Sequence, residues 1–596
     1  MGIQSKLFSD FTNNPFLPHM PLSAEGNRCP APGAVVQRNL PTFGQAVIHQ
    51  VAKGMSTLPS TTSRGLLVWH STGSGKSCTA IAIANAFKGT RRPVYYITTA
   101  ALRTKTDTEL RACTNDLFMA KDPAVYNVMT YAILAHMIKK RRIEMNAVLI
   151  LDEVHNLYFP LPHQQAEHKT LLDCLLYDNP SISDAKIFVM TATPGNNTSQ
   201  LLQLLNIIRP RPAPEITMPD IKDPASIDRF TRSLVGLVSY LNTDNDMSLF
   251  PTVTVNEPRF ALLSDEHYIH YMDKLAGSPE EQADYARLSR ERKVDRYYVA
   301  ARRASNAMPA ACGGGDDKPV LMEEFSAKLP QLIATINEHA DDKHYVYSAF
   351  FHQYCGCDEG VNMIAKSLKA QGYEELDVGM LANNATLMKK PRFMLLTSSK
   401  LSGGKTKSDA REKHNIDKLM GLFNSPKNAR AEYCGVILAP QGFNEGIDLK
   451  AIRHVHLFEP LIEYNMEKQA VGRAVRHCSH AQLRKEYGEW TVQVHRYISD
   501  HPADAVVRLI DYSPDMSPED RAAVDGANTY QENMIEKIIY KEARERINEM
   551  HTLQLCMRRA AVDCMLTENF HGDIDNCVEE GDDVKPPPPA AAITVG

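Results

Sequence analysis

The sequence has 596 residues, of which 43% are hydrophobic and 23% are charged, and its formal net charge at pH 7 is −5. A chain of this length and composition can form three or four globular domains with ordinary packed cores. The small negative charge excludes a surface covered by positive potential, so any contact with nucleic acid must use local basic stretches. Three such stretches are residues 139–142, 287–303 and 389–413.

The sequence predicts an intracellular protein, not secreted, with no membrane segment and no structural zinc. No apolar run reaches the roughly 18 residues that would span a bilayer. The N-terminal stretch MGIQSKLFSDFTNN lacks the apolar core of a signal peptide. The cysteines are scattered and form no CxxC pair, so we expect no zinc site.

Continuous β-branched and aromatic runs predict strands of parallel sheets that are covered on both faces. In chain order, these runs occupy residues 66–69, 94–98, 147–152, 186–191, 344–350, 392–397, 435–440, 454–458 and 491–498. We therefore expect an α/β protein with two lobes, and a mostly helical segment over residues 211–330 between or beside them.

The stretch GLLVWHSTGSGKSCTAIAIA places an apolar strand, a glycine-rich turn and a helix in succession. The turn contains Gly73, Ser74 and Gly75, whose backbone N–H groups can converge on phosphate oxygens while the helix adds its positive end. Lys76 would then reach the β- and γ-phosphates of ATP, and the Ser77 hydroxyl would bind Mg²⁺. The stretch therefore predicts an ATP site.

A phosphate loop needs an acidic partner for its metal, and AVLILDEVHN supplies one where a predicted strand ends. Asp152 would hold Mg²⁺ through water, and Glu153 could polarise the attacking water as general base. An isolated Asp-Glu pair would be read as an exposed acidic turn, but a pair downstream of a phosphate loop predicts ATP hydrolysis. The loop departs from the usual GxxxxGK[ST] pattern at its first position, which is His70.

Three further motifs follow in order along the chain: MTATPGN, FNEGIDL and QAVGRAVRHCSH. Together with the phosphate loop and DEVH, they resemble the superfamily 2 helicases and translocases of DExH type. That family has two RecA-like lobes with ATP in the cleft between them. The resemblance therefore implies tandem RecA-like lobes, ATP and Mg²⁺ as cofactors, and nucleic acid as the partner.

The resemblance also assigns roles to the second-half residues Gln469, Arg473 and Arg476, which match the QxxGRxxR motif. Because the two arginines are three residues apart, we expect them on one helix face, from which both reach the γ-phosphate when the lobes close. Arginines supplied across a cleft stabilise the charge of the transition state. Upstream, Gln45 would read the adenine edge by resemblance, with an ordinary polar surface glutamine as the alternative.

Two further groups of residues take their expected roles from the resemblance. The residues expected to couple hydrolysis to the other lobe and to nucleic acid are His155, Thr191, Thr193, Gly446 and Asp448. For the two threonines of this group, capping of a strand-to-helix turn is an open alternative. The residues expected to contact nucleic-acid phosphates are Thr98, Thr99 and Thr130.

Other stretches resemble narrower groups of the same superfamily. LLQLLNIIRP resembles the Swi/Snf branch, which often translocates on duplex DNA without separating its strands. HVHLFEPLIEYNMEKQAVGRAVRHCSHAQL and LQLCMRRAAVDCMLTENF resemble ATPases and helicases of large cytoplasmic DNA viruses, including poxvirus nucleoside triphosphatase I and the early transcription factor small subunit. This implies a DNA-dependent ATPase that works with a viral RNA polymerase, in the virion and the host cytoplasm. The alternative is a transcription-factor subunit that uses the motor fold mainly as a DNA- and polymerase-binding platform.

These observations predict a division of the chain into six segments. They are a poorly ordered N-terminus (1–35), a first RecA-like lobe (36–210), a mostly helical insertion or linker (211–330), a second RecA-like lobe (331–512), a helical C-terminal extension (513–576) and a disordered tail (577–596).

Overall fold

The computed structural model of the chain divides into two compact units. Unit 1 comprises Met1–Leu249 and Arg546–Gly596, and unit 2 comprises Phe250–Glu545. The structure describes residues 43–70, 74–99, 103, 106, 110, 127–158, 165–195, 197–241, 250–276, 299–308, 325–350, 360–381, 390–396, 407–440, 447, 449–461, 464–476, 478–502 and 534–563. The predicted terminal segments 1–35 and 577–596 lie outside these residues. Among the helices that are described, none is both long and apolar enough to cross a bilayer.

A six-stranded parallel sheet lies at the centre of the described part of unit 1. Its strands are β1 (Gly65–His70), β2 (Val94–Thr98), β3 (Asn127–Thr130), β4 (Val148–Asp152), β5 (Lys186–Thr191) and β6 (Val238–Leu241). They lie in the order β3-β2-β4-β5-β1-β6, and each pairing is parallel. Every residue of β1 and β5 is buried, as expected for strands covered on both faces.

Helices cover both faces of this sheet. They are α1 (Phe43–Ser56), α2 (Lys76–Ala86), α3 (Tyr131–Lys139), α4 (Gln165–Leu176), α5 (Thr198–Ile208) and α6 (Pro224–Ser233), with short 3-10 helices at Val154–Leu157 and Pro180–Ile182. Alternate side chains of each strand point to opposite faces. Leu66 and Val68 of β1 therefore pack with α1 and α2, while Leu67 and Trp69 pack with α3, α4 and α5.

Unit 2 is built on a second parallel sheet, of eight strands within the described residues. These strands are β7 (Thr252–Val255), β8 (Arg259–Leu262), β9 (Lys343–Ser348), β10 (Glu374–Glu375), β11 (Arg392–Leu395), β12 (Val436–Pro440), β13 (Ile452–Leu457) and β14 (Thr491–Asp500). The order is β10-β11-β12-β9-β13-β14-β7, and β8 pairs with the second half of β14.

The helices of unit 2 contribute to four core clusters within the described residues. They are α7 (Asp265–Ala276), α8 (Val299–Asn306), α9 (Leu329–Glu338), α10 (Val361–Ala370), α11 (Val378–Leu381), α12 (Lys407–Phe423), α13 (Tyr464–Ala474), α14 (Ala481–Tyr487) and α15 (Ile535–Arg559). α9 and α10 cover one face of the sheet, and α12 and α13 cover the other. α7 and α8 pack with the start of α15, whose C-terminal half contributes to the core of unit 1.

The α/β architecture with two parallel sheets that the sequence predicts is confirmed, and each of the nine predicted runs contains a strand. The described part of segment 211–330 contains the helices α6, α7 and α8 and also three strands: β6 forms the edge of the first sheet, and β7 and β8 pair at the edge of the second. These strands have four residues each, and all four side chains of β7 are exposed. Short, exposed edge strands carry no continuous apolar run, so sequence pattern alone does not reveal them.

Candidate nucleotide-hydrolysis site

The first sheet brings three of the sequence motifs together at one edge. Trp69 of β1 pairs with Thr191 of β5, and Met190 of β5 pairs with Asp152 of β4. The strands are parallel, so the glycine turn, the Asp-Glu pair and the Thr-Ala-Thr motif all follow the carboxyl ends of adjacent strands. This edge is where open α/β sheets bind their ligands.

The glycine turn ends in a conformation that suits a phosphate loop. Gly75 has φ 85° and ψ 34°, a left-handed conformation that glycine adopts without steric cost, and α2 begins directly after it at Lys76. The Lys76 Nζ donates to the backbone oxygen of His70 at 3.2 Å, so its side chain reaches back across the turn to the end of β1. Ser77 is half-buried in the first turn of α2, and Ser74 is buried before it. Gly73 lies outside the described residues.

His70, which replaces the first glycine of the usual pattern, belongs to the sheet. Its side chain is fully buried, and its Nε2 lies 2.8 Å from the Ser239 Oγ on β6. Burial, with the nearby Lys76 charge, lowers the pKa of His70 to about 3, so the ring is neutral at pH 7. The histidine at this position of the motif therefore connects β1 to β6 through its side chain.

Asp152 ends β4 and accepts hydrogen bonds from two tyrosine hydroxyls, which belong to no sequence motif. Tyr96 Oη donates to the Asp152 Oδ2 at 2.5 Å, and Tyr131 Oη donates to the Asp152 backbone oxygen at 2.6 Å. Burial and the neighbouring Glu153 charge raise the pKa of Asp152 to about 7, against the opposing effects of the Tyr96 hydrogen bond and the Lys76 charge. A divalent cation would favour the ionised carboxylate, so metal binding here would be coupled to proton release.

Glu153 directly follows in a left-handed conformation, with φ 50°. This conformation is uncommon for a residue with a side chain, and at a carboxyl pair it is the kind of local strain that functional sites contain. Its backbone N–H donates to the Met190 oxygen of β5 at 3.1 Å, which holds the turn in place. The chain then enters the 3-10 helix that contains His155, whose side chain lies outside the described part.

The Thr-Ala-Thr motif forms a closed turn of its own. The Thr191 Oγ1 donates to the Thr193 backbone oxygen at 2.9 Å and accepts the Thr193 N–H at 3.0 Å. Both side chains are buried, and Trp69 Nε1 donates to the Ala192 oxygen at 3.1 Å. These contacts favour the turn-capping interpretation of the two threonines; their coupling role stays a prediction.

Gln45 lies against the glycine turn and is buried, which disagrees with an ordinary surface glutamine. Its Nε2 donates to the Gly75 backbone oxygen at 3.3 Å, an oxygen that also accepts the Thr79 N–H at 3.0 Å. The side chain thus ties α1 to the first turn of α2. Its predicted contact with adenine is not tested by these distances.

The three threonines predicted to contact nucleic acid follow β2 and β3, which pair at Thr98 and Thr130. Thr130 caps α3, its hydroxyl accepting the Ile133 N–H at 3.3 Å. Thr98 is fully buried, so its hydroxyl does not face solvent in this conformation. The Thr98 and Thr99 hydroxyls are buried and have no hydrogen-bond partner within the described part of the chain.

In unit 2, Arg473 lies in the last turn of α13 and Arg476 follows the helix. The Arg473 guanidinium lies 3.5 Å from the Ile447 backbone oxygen, and the Arg476 Nε donates to the Gly472 oxygen at 3.2 Å. The prediction of one shared helix face is wrong, because α13 ends at Ala474 and Arg476 follows the helix. Gln469 is half-buried within α13. Gly446 and Asp448 lie outside the described residues.

Comparisons with known proteins match part of unit 1 to a described family and most of the chain to viral proteins. Residues 42–196 match the model of the family described as "Type III restriction enzyme, res subunit". The "Termination factor NPH-I homolog" of African swine fever virus (isolate Pig/Kenya/KEN-50/1950) is 24% identical over 577 residues, with 84% of this chain and 76% of that protein covered. The "Putative ATP-dependent RNA helicase R563" of Acanthamoeba polyphaga mimivirus is 25% identical over 498 residues, covering 74% and 80%.

The "Putative helicase 087L" of Invertebrate iridescent virus 3 is 23% identical over 523 residues, which cover 78% of this chain but half of that protein, 50%. Among solved structures, the Hef helicase domain of Pyrococcus furiosus is 14% identical and covers 76% of this chain and 95% of that one, with a TM-score of 0.37.

The phosphate loop and the acidic pair at the adjacent strand end are the residues expected of an enzyme that hydrolyses ATP, and the chain is similar to superfamily 2 helicases. Its relatives among characterised sequences include the helicases and NPH-I-type termination factor homologues of large DNA viruses.

Proposed function

We propose that the protein is an ATP-driven DNA translocase or helicase that serves viral transcription. The observation that carries the proposal is the convergence of Lys76 and Asp152 at one sheet edge, where the Lys76 charge acts on a half-buried carboxyl. A fold that serves only as a binding platform does not require a lysine and a carboxylate to converge at the end of a phosphate loop. The relatives named as helicases and as termination factors support the motor and transcription roles, respectively.

In this proposal ATP binds at the glycine turn, and the residues present fit a nucleotide with a divalent cation. Lys76 would neutralise the β- and γ-phosphates, and Ser77 with Asp152 would hold Mg²⁺. The metal would supply Lewis acidity toward the phosphoryl oxygens. Glu153, turned out of the strand by its left-handed backbone, would accept a proton from the attacking water.

In this proposal, residues of unit 2 also take part in ATP hydrolysis. Arg473 and Arg476 would stabilise the negative charge that develops on the γ-phosphoryl group, so that hydrolysis depends on closure. Their separation by the end of α13 gives them different backbone supports, which suits two arginines with distinct contacts. Gln469 on the same helix would contribute to nucleotide binding.

DNA and a viral RNA polymerase are the proposed partners, and the virion and host cytoplasm are the proposed locations. Thr130 ends β3 beside the end of β2, and hydroxyls at such strand ends can bind phosphate oxygens. The Thr98 and Thr99 hydroxyls are buried and would have to become exposed to do the same. Contacts of this kind provide affinity without reading sequence, as a motor that moves along DNA requires.

The decisive measurement is the rate of ATP hydrolysis by the full chain, alone and with duplex or single-stranded DNA. We expect stimulation by DNA and loss of hydrolysis in Lys76→Ala, while Lys88→Ala, an exposed lysine just after the same helix, behaves as wild type. DNA binding without stimulated hydrolysis would instead support the platform interpretation. Normal hydrolysis by Lys76→Ala would refute the site.

A second pair of assays separates the two motor activities. A helicase releases a paired strand from a duplex, whereas a translocase that does not unwind DNA displaces only the third strand of a triplex. Failure of both assays, despite DNA-stimulated hydrolysis, would contradict movement along DNA.

A further inference from the structure

A row of stacked imidazoles crosses the sheet of unit 2. It consists of His344 on β9, His454 and His456 on β13, and His495 on β14, with neighbouring ring centroids 4.8, 5.3, 5.4 and 4.8 Å apart. At the outer end, His339 follows α9 and stacks on His454 at 4.5 Å. These rings occupy a sheet face whose other positions are apolar, and the nucleotide site does not use them.

The hydrogen bonds along part of this row determine where the ring protons lie. His454 Nε2 is 3.3 Å from the Asp342 Oδ2, and because an ionised carboxylate only accepts, this nitrogen carries the proton. His454 Nδ1 then accepts from His495 Nε2 at 3.1 Å, and His495 Nδ1 accepts from Asn256 Nδ2 at 3.1 Å. Each ring is therefore neutral, with one donor and one acceptor.

This chain of hydrogen bonds can run in the opposite direction. If the Asn256 amide turns over, its oxygen can accept from His495 Nδ1, and His495 Nε2 can accept from His454 Nδ1. His454 Nε2 is then a lone pair that faces Asp342 Oδ2. A histidine that binds a metal through one nitrogen and donates from the other to a fixed partner has this arrangement.

From these contacts we infer that His339, Asp342 and His454 form a binding site for a divalent transition-metal ion of the Zn²⁺ type. One nitrogen of each imidazole and one carboxylate oxygen lie within 4.8 Å of one another. Two imidazoles with one carboxylate suit zinc and similar ions and leave a further coordination position for water. The site was not predicted from sequence, because His339 and Asp342 lie on one turn while His454 lies on another segment, 112 residues after Asp342.

Two guanidinium groups lie beside Asp342. Arg430 Nη1 holds the carboxylate oxygen Oδ1 at 2.6 Å, and Arg453 Nε lies 4.0 Å from Oδ2, the oxygen that faces His454. Arg430 and Arg453 also pair with Glu489, so two carboxylates balance two guanidinium groups before a cation binds, and the cation would compete with Arg453 for Oδ2. Hydrogen bonding to the second oxygen of a ligating carboxylate is the usual outer support of a metal site.

The proposed site joins the turn between α9 and β9 to the beginning of β13, at the strand edge opposite the one from which α13 follows. The ion would therefore stabilise the fold of unit 2 and take no part in ATP hydrolysis. Any ion that binds the folded chain and not the unfolded one raises its melting temperature with concentration.

The test uses the full chain, stripped of metal with a chelator, and measures Zn²⁺ binding by calorimetry and Co²⁺ coordination by absorption. We expect one site whose Co²⁺ spectrum shows nitrogen and oxygen ligands without a thiolate charge-transfer band, and a melting temperature that rises with Zn²⁺. His339→Gln should weaken binding at least tenfold and abolish the rise. This half-exposed residue can be replaced without opening the core, and His136→Gln, an exposed histidine on α3, is the matched control.

Three results would overturn the inference. The first is equal binding by wild type and His339→Gln. The second is a thiolate charge-transfer band, which would show that the ion binds to cysteines. The third is no binding by the wild-type chain. Each is independent of whether the protein hydrolyses ATP, so failure here leaves the proposed motor function untouched.

Discussion

Replacement of Tyr96 by phenylalanine removes one hydrogen bond from the candidate catalytic centre and leaves the ring in place. The Tyr96 hydroxyl donates to the Asp152 Oδ2 at 2.5 Å and favours the ionised carboxylate. Burial already raises the pKa of Asp152 to about 7. Loss of the donor should raise this pKa further, so that a larger fraction of the enzyme is protonated at neutral pH.

The size of the effect follows from the charge on the acceptor. A hydrogen bond to a charged group is worth about 1.5–3 kcal/mol. One pH unit corresponds to about 1.36 kcal/mol, so the acid limb of the activity profile should move upward by about 1 to 2 pH units. At pH 7 this change reduces the ionised fraction, and with it the metal-competent enzyme, by about 5- to 50-fold.

The assay is the pH dependence of kcat/KM for ATP, which reports ionisations of the free enzyme. Wild-type activity should rise as the pH increases through about 7, the pKa of Asp152. Tyr96→Phe should recover wild-type activity at alkaline pH. Tyr95→Phe is the matched control, because the adjacent Tyr95 donates to a different carboxylate, Glu144, at 2.6 Å.

Superimposable profiles for wild type and Tyr96→Phe would show that this hydrogen bond does not set the ionisation of Asp152. A loss of activity that is uniform across the pH range would point to misfolding instead, and unfolding curves of both tyrosine variants would identify it.

Three other expectations concern stability and DNA. Acidification from pH 7 to 5 should lower the melting temperature, because three buried imidazoles are neutral in the folded chain and have pKa values below the ordinary 6.5. The stability that they contribute is present above pH 6.5 and is lost as the pH falls toward 3, by about 2 kcal/mol for each imidazole at pH 5. A constant melting temperature would contradict this. These imidazoles are His70, His344 and His495. Glu536→Gln should lower the free energy of unfolding in urea by about 3–5 kcal/mol, because it leaves the Lys328 charge buried beside a neutral side chain. Lys369→Ala, at an exposed pair, should cost about 1 kcal/mol or less, and equal losses would refute the role of burial. Thr130→Val should raise the DNA concentration for half-maximal ATPase stimulation about 2- to 12-fold, the effect of losing one hydrogen bond, without changing basal hydrolysis. Unchanged DNA dependence would remove Thr130 from the proposed DNA contact.

The sequence by itself determined the features that depend on neighbouring residues. Nine apolar runs predicted strands because a strand covered on both faces needs apolar side chains at every position. The turn before α2 was recognisable because Gly75 must adopt a left-handed backbone, and Lys76 and Ser77 follow it directly. The order of the motifs then placed the phosphate loop and Asp152 at strand ends, where parallel strands share an edge.

Only the tertiary structure decided which distant groups meet. Tyr96 and Tyr131 act on Asp152 because β2 and β4 are neighbours and α3 begins beside them, and no local spacing encodes that contact. The imidazole row likewise requires β9, β13 and β14 to be adjacent and in register. The sequence did not predict the end of α13 before Arg476, nor the edge strands β7 and β8. Helix ends and exposed edges depend on packing and pairing elsewhere in the chain, which residue type constrains only weakly.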